Sequence, residues 1–253
     1  MKELEILLEF INQPLDTADG IFEKFSALSG AQIYTGEKPG ERFLFLKGNR
    51  PDAATLVAHA DTVFDVSGEH EVIVDGDLIR SGSVTYGIGA DDRAGCAMLW
   101  LLKDLGHHIL VCDYEEGTHP DAIGCCTGSK YLMSAHPKIA QIINNSSFVF
   151  EFDRRLAFGV RREHYTSYWL PVTDEFRQFM ESEIGFFDDD KSGYTDILEL
   201  CTQVCGANVC VGYAHAHTSR ESISISAFMN TYSIMCKVLS RDLRRFPLAN
   251  SRI

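Results

Sequence analysis

The chain contains no stretch approaching the roughly 20 consecutive apolar residues that a membrane span requires, so no spanning helix is expected. Basic residues are also scarce: 23 Lys and Arg stand against 36 Asp and Glu, for a formal net charge of −13. Phosphate recognition needs clustered Lys and Arg, and here they are scattered, so no nucleic-acid partner is expected. There is no internal repeat, low-complexity segment or linker. The opening Met1-Lys2-Glu3-Leu4-Glu5 lacks the basic start and apolar run of an export signal, which makes the cytoplasm the expected location. In that reducing compartment the eight cysteines are expected as free, mostly buried thiols rather than a disulfide framework.

What is present is an ordinary apolar content and a length of 253 residues, enough for one large α/β domain with a full core. Residues 1–253 are accordingly expected to form a single domain. Apolar periodicity predicts helices around Leu4 to Ile11 and Ile21 to Leu28. Strands are predicted at Phe43 to Leu46 and Thr55 to Ala60, with a hairpin over Glu71 to Ile79 turning at Asp75-Gly76. A glycine-flanked passage, Gly87 to Gly95, then leads into an apolar helix from Cys96 to Leu102.

Ile109-Leu110-Val111 is apolar throughout, as a strand buried on both faces would be. Helices at Gly128 to Ala135, Asp174 to Glu181 and Thr195 to Val204 alternate with strands at Phe148 to Phe152 and Asn208 to Tyr213. A long helix from Ser226 to Arg241 ends the pattern. The alternation predicts an α/β fold, a three-layer αβα sandwich with a mixed, largely parallel central sheet.

Candidate metal ligands fall at the ends of the predicted strands, where ligands collect in open α/β sheets. His59 and Asp61 close one strand, and residues two apart on a strand share a face. Asp91 lies in the glycine-flanked loop, Glu115-Glu116 follow the buried strand, Asp153 ends the next, and His217 follows the last. Taken singly each has a plain structural reading, paired acids as solvated residues and Asp91-Asp92 as helix N-terminal acids favoured by the macrodipole. Their ordered succession is the signal.

In that succession the chain resembles the co-catalytic dinuclear zinc exopeptidases, the superfamily of bacterial leucyl, glutamyl and tripeptide aminopeptidases and of aminoacylase-type deacylases. The resemblance rests on Ala58-His59-Ala60-Asp61-Thr62-Val63, Gly89-Ala90-Asp91-Asp92-Arg93-Ala94-Gly95, Glu115-Glu116-Gly117, Asp153 and His217-Thr218-Ser219-Arg220-Glu221. It implies that His59 and Asp153 bind one ion, Glu116 and His217 another, and that Asp91 bridges them. It further implies Glu115 as general base and Asp61 as the residue that orients His59 or restrains the base. Carboxylates and neutral imidazoles suit two divalent metal ions, zinc first and cobalt or manganese as alternatives.

The implied activity is hydrolysis of an amide bond in short peptides by a metallopeptidase of the aminopeptidase, exopeptidase kind, with a small peptide or peptide-like substrate as its partner. An N-acyl amino-acid deacylase using the same site is the alternative, and a non-catalytic binding protein of the same fold a weaker one. The intervals Asp61 to Asp91 and Asp153 to His217 are too short for the lid or dimerisation domain that many relatives insert, which favours the aminopeptidase. Several roles stay open. The oxyanion donor is Tyr194, Tyr213 or a backbone N–H; His215 competes with His217, which is preferred because Thr218 and Glu221 complete the family pattern; Asp196 binds a substrate amine or is a helix N-terminal acid. His119 reads first as a surface residue of the loop Thr118 to Cys126, Asp188-Asp189-Asp190 as a solvated run, and Cys201, Cys205 and Cys210 lack a fourth ligand for structural zinc.

Overall fold

Burial on alternate residues builds two cores on one sheet. The computed structural model describes residues 2–117, 124–156, 166–167, 172–185 and 194–248; His119 and the run Asp188-Asp189-Asp190 lie outside them. Helices α1 (Lys2–Ile11) and α2 (Asp19–Ser26) precede strands β1 (Ala31–Thr35), β2 (Arg42–Leu46) and β3 (Thr55–His59). The hairpin β4 (Val72–Asp75) and β5 (Leu78–Ser81) is followed by α3 (Ala90–Leu102), β6 (His108–Cys112), α4 (Thr127–Ala135), α5 (Pro137–Asn145) and β7 (Val149–Arg154). Then come β8 (Thr166–Ser167), α6 (Asp174–Glu183), α7 (Asp196–Leu200), β9 (Gly206–Cys210), β10 (Tyr213–Ala214), β11 (Ser222–Ser224) and α8 (Ile225–Leu239).

The main sheet runs β1-β2-β6-β3-β7-β9-β8. Its four inner strands β6, β3, β7 and β9 are mutually parallel, and β1, β2 and β8 are antiparallel to their neighbours. Leu44, Leu56, Ala58, Val111, Phe150 and Val209 face a core shared with α1, α3 and α8, whereas Phe43, Phe45, Val57, Leu110, Cys112 and Val149 face α4, α5 and α7. The expected three-layer sandwich is what forms. Each fully buried Leu or Phe side chain contributes roughly 1.5–3 kcal/mol of transfer free energy, so the sheet interior anchors the strand ends described below. Among the described residues no helix is long and apolar enough to cross a membrane.

Several elements depart from the sequence reading, each for a physical reason. The predicted strand Asn208 to Tyr213 breaks at Gly212, whose φ of +93° favours glycine. A Cβ there would sit 3.1 Å from atoms of Ala227, Phe228 and Ser224. Past the break, β10 joins a second, antiparallel sheet of order β10-β11-β5-β4. Helix α7 stops at Leu200 rather than Val204, because the buried Asn144 side chain donates to Leu200 O and accepts from the backbone N–H groups of Thr202 and Gln203. Cys201 and Cys205 therefore do not share a helical turn. Helix α5 was not anticipated, although Pro137 at its first turn is a helix-start signal. Strand β1 lies at the sheet edge, mostly exposed and without alternation.

The start of β6 is tied to the preceding strands by two neutral histidines. His107 Nδ1 accepts from Ala54 N (3.1 Å) while its Nε2–H donates to Leu239 O (2.8 Å). His108 Nδ1 accepts from Gly48 N (2.9 Å). Burial, reinforced by the neighbouring His107 and Lys47, pushes His108 down to about 4 from its ordinary 6.5. Between those values the unfolded chain takes up a proton that the folded chain refuses, so stability is full above 6.5 and falls as pH drops toward 4. His108→Gln, which keeps an acceptor for Gly48 without titrating, should lose less thermal stability than wild type between about pH 7 and about pH 4.5. Parallel losses in scanning calorimetry would show that His108 contributes nothing to the acid sensitivity.

Candidate metal centre

Parallel register brings the C-terminal ends of β3, β6 and β7 to one edge: Ala58 pairs with Val111, His59 with Cys112 and Val57 with Glu151. His59 is the last residue of β3 and fully buried. Its Nε2 lies 3.1 Å from Asp91 Oδ1, 3.7 Å from Asp153 Oδ1 and 4.0 Å from Glu116 Oε1. His217 Nε2 lies 2.7 Å from Glu116 Oε1 and 3.2 Å from Asp91 Oδ2. Asp91 thus turns one carboxylate oxygen to each imidazole. The donors form two groups, His59 with Asp91 and Asp153, and Asp91 with Glu116 and His217, each with ligand atoms within 4.8 Å of one another.

The geometry fits a pair of divalent cations. Donors around a tetrahedral zinc at about 2.0–2.2 Å stand roughly 3.3–3.6 Å apart; separations of 3.1, 3.2 and 3.7 Å bracket that range, and the His217–Glu116 pair, at 2.7 Å, is drawn closer as a direct hydrogen bond. The electrostatics agree. Burial and the charge of Asp91 push Asp153 up to about 7, and burial with Asp91 also raises Glu116. Burial would raise Asp91 too, but hydrogen bonds from His217 and His59 hold it below the usual carboxylate range. His217 is pushed up to about 10 by its bonds to Asp91 and Glu116. In the protein alone the imidazoles are drawn toward their charged form, which expresses the preference of this centre for positive charge.

The remaining contacts fix the donors in place. Asp61 Oδ1 accepts from Glu115 N (3.0 Å) and Oδ2 from Glu116 N (3.1 Å), while Oδ1 lies 3.3 Å from His59 Nδ1. One carboxylate therefore both faces the back of His59 and clamps the Glu115-Glu116 backbone. Glu115 is buried, its Oε2 accepts from Asp196 N (3.1 Å), and burial followed by the charges of Glu151 and Asp196 raises it well above its ordinary value. Glu115 lines a cavity of about 290 Å³ together with Asp91, Glu116, Asp153 and His217. A larger cleft of about 620 Å³ lies beyond Asp61, bordered by Leu15, Arg42, Phe64 and Tyr114. The smaller cavity holds the convergent donors and is the candidate site.

Three residues that the sequence left without a role, Asn208, Glu221 and Arg93, and one it offered as an oxyanion donor, Tyr213, support this centre. Asn208 accepts from Asp153 N (2.9 Å) and donates to Asp153 Oδ2 (3.2 Å), and Tyr213 OH donates to Asp153 Oδ1 (2.9 Å). The Tyr213 hydroxyl is thereby committed to Asp153. Glu221 is fully buried and accepts from Ile88 N (2.9 Å), Gly89 N (2.7 Å) and Asp91 N (3.3 Å), so the segment that carries His217 also holds the loop that carries Asp91. Arg93, also buried, donates to Pro14 O (2.9 Å) and Thr17 O (2.7 Å), fastening the α1–α2 connection beneath that loop. The Asp91–Asp92 peptide is cis, and Asp91 and Asp92 have non-helical backbone at the start of α3. Gly95 admits the Asp92 carboxylate and Phe152 O to within 2.4 Å of where a Cβ would stand. Glu221 in the His217 motif, Arg93 in the Asp91 motif and Tyr213 among the oxyanion candidates carried a signal in the sequence, and Asn208 carried none.

The open alternatives separate in space. His217, not His215, joins the donor groups. Asp196 does begin a helix, yet it is fully buried against Ser129 rather than exposed to the cavity. Tyr194 is half-exposed at the cavity wall, with its hydroxyl donated to Glu199. All eight cysteines are free, and most are buried.

No protein-family model matches the chain, and neither does any curated protein. Solved structures do. Aminopeptidase PepT from Bacillus cereus superposes with a TM-score of 0.64 at 12% identity, covering 94% of this chain and 97% of that one. A tripeptidase from Staphylococcus aureus gives 0.64 at 14% identity over 94% and 97%. The TET1 peptidase of Pyrococcus horikoshii gives 0.63 at 11% over 94% and 99%. The chain has a peptidase-like fold. At such low identity the likeness establishes the fold, and function has to be argued from the site.

Glu221→Ala strips three buried N–H groups of their acceptor and is expected to cost about 2–4 kcal/mol, with Glu221→Gln losing roughly half as much because one carbonyl oxygen remains. Urea unfolding followed by circular dichroism measures both. An unchanged midpoint for Glu221→Ala would remove Glu221 as the anchor of the Asp91 loop.

Proposed function

We propose that residues 1–253 form one catalytic domain, without a lid, that acts as a dinuclear metal-dependent aminopeptidase on short peptides. The observation that carries the reading is Asp91, which presents one oxygen to each of two imidazoles and so sits where one carboxylate would bridge two ions. His59 and Asp153 would hold one ion and Glu116 and His217 the other, with zinc the best match to the imidazole and carboxylate donors. Bound there, divalent ions supply Lewis acidity and a water acidified toward neutrality. The peptidase names of the superposed structures support a peptide as substrate.

Glu115 acts as general base, taking the proton of the attacking water and returning it to the departing amine. Burial suits this task, because a carboxylate raised above its ordinary range holds a proton between the two transfers. Asp61, 3.3 Å from His59 Nδ1, would favour the tautomer that carries its proton there and leaves Nε2 to ligate metal. The same carboxylate fixes the backbone from which Glu115 and Glu116 project.

Glu115→Gln should retain two ions by elemental analysis while kcat falls about 10²–10⁴-fold; wild-type turnover in that variant would remove Glu115 as the base. Asp91→Ala should lose both ions, and retention of either at full occupancy would contradict the bridge. Free dipeptides and their N-acetylated forms separate the two amidase readings. The aminopeptidase cleaves the free forms, and cleavage restricted to the blocked forms would identify a deacylase. Exhaustive chelation should abolish hydrolysis, with zinc, cobalt or manganese restoring it.

A further inference from the structure

Behind the metal centre lies a second group of buried acids, of which the proposed reaction uses only Glu115. If two divalent ions are set against Asp61, Asp91, Glu116 and Asp153, their charges cancel; the buried Asp92 accepts from the backbone N–H groups of Gly95 and His59, and Glu115, Glu151 and Asp196 remain. Glu151 and Asp196 are fully buried and Glu115 is 6% exposed. Among the described residues no Lys or Arg forms an ion pair with any of the three. Asp196 Oδ2 and Glu151 Oε1 have no hydrogen-bond partner. Uncompensated carboxylate oxygens in a dry interior are costly, and a proton or a cation has to answer them.

We propose that Glu115, Cys126 and Asp196 form a third cation site, and that a thiophilic divalent ion bound there inhibits hydrolysis by engaging Glu115. Ligand atoms of these three residues lie within 4.8 Å of one another, and Asp196, whose Oδ2 has no hydrogen-bond partner, belongs to the set. The backbone holds them together: Cys126 N donates to Glu115 O (3.0 Å), Asp196 N donates to Glu115 Oε2 (3.1 Å), and Ser129 Oγ bridges Cys126 O (3.1 Å) and Asp196 Oδ1 (2.5 Å). A thiolate with two carboxylates suits zinc or cadmium rather than magnesium or calcium. Loading breaks the Cys126 S–H bond, releases the proton to solvent and forms a sulfur–metal bond from the freed electron pair, with no change of oxidation state. Glu115 cannot ligate such an ion and also accept the proton of the nucleophilic water.

The inhibitory half rests on Glu115 as base, whereas the binding half does not. The test therefore reads binding through sulfur, which the oxygen and nitrogen donors of the proposed pair lack. Cadmium is titrated into the full chain while the ultraviolet thiolate-to-cadmium charge-transfer band is recorded and bound ions are counted by native mass spectrometry. The band should appear in wild type and in Cys125→Ser, persist in Cys112→Ser, whose thiol lies against Asp196, vanish in Cys126→Ser, and require more cadmium in Asp196→Asn. Inhibition by excess cadmium should shift roughly 10- to 100-fold upward in concentration in Cys126→Ser, the size of effect that lost metal-site partners produce. No band in wild type, or a band unaltered in Cys126→Ser, overturns the site. A band on Cys126 with undiminished hydrolysis overturns the inhibitory role. A band on Cys126 in a chain that cleaves no peptide supports the site and counts instead against the proposed function.

Discussion

The structure depends on holding several carboxylates together at one sheet edge, out of water, without letting their repulsion pry the strands apart. Three parallel strands deliver His59, the Glu115-Glu116 pair and Asp153 to that edge, and a fourth segment brings His217 across it. Like charges at these separations are tolerated only where donors or cations are fixed against them. The surrounding contacts do this. Backbone N–H groups face Asp61, Asn208 and Tyr213 face Asp153, and imidazoles face Asp91.

Asp61 shows how one side chain can set two parts of the site. Its two oxygens pair with consecutive backbone N–H groups, so Glu115 and Glu116 are forced to leave the strand end in one geometry, while the same carboxylate stands behind His59. Glu221 does comparable work for the Asp91 loop from a distance of 130 residues in sequence. Arg93 extends the linkage outward to the connection between the first two helices. Donor placement is thus coupled to the N-terminal helices, the small antiparallel sheet and the core together, as expected where supporting partners orient metal ligands.

The fold is shared with peptidases that differ from this chain at nearly nine positions in ten. Such divergence is compatible with one architecture, because a buried parallel sheet asks only for apolar residues of suitable volume and for strand ends that stay in register. Chemistry asks for more, namely particular donors at particular separations. For this reason the position of Asp91 between two imidazoles weighs more in the functional reading than the superposition does.

From the sequence alone, the α/β class, most strands and helices, and the roster of candidate donors were legible, since each follows from local periodicity or from the order of short motifs along the chain. His59 and Asp61 two apart on a strand already implied a shared face. The burial of Asp196, the double clamp of Asp61 and the anchoring roles of Asn208, Tyr213, Glu221 and Arg93 came only with the tertiary structure. So did the early end of α7, which an asparagine more than fifty residues away imposes. Periodicity records which face of an element is apolar, and it carries no information about which distant polar atom will meet which. Hydrogen bonds and charge pairs act over a few ångströms in space, so residues far apart along the chain acquire these roles only when the sheet brings them together.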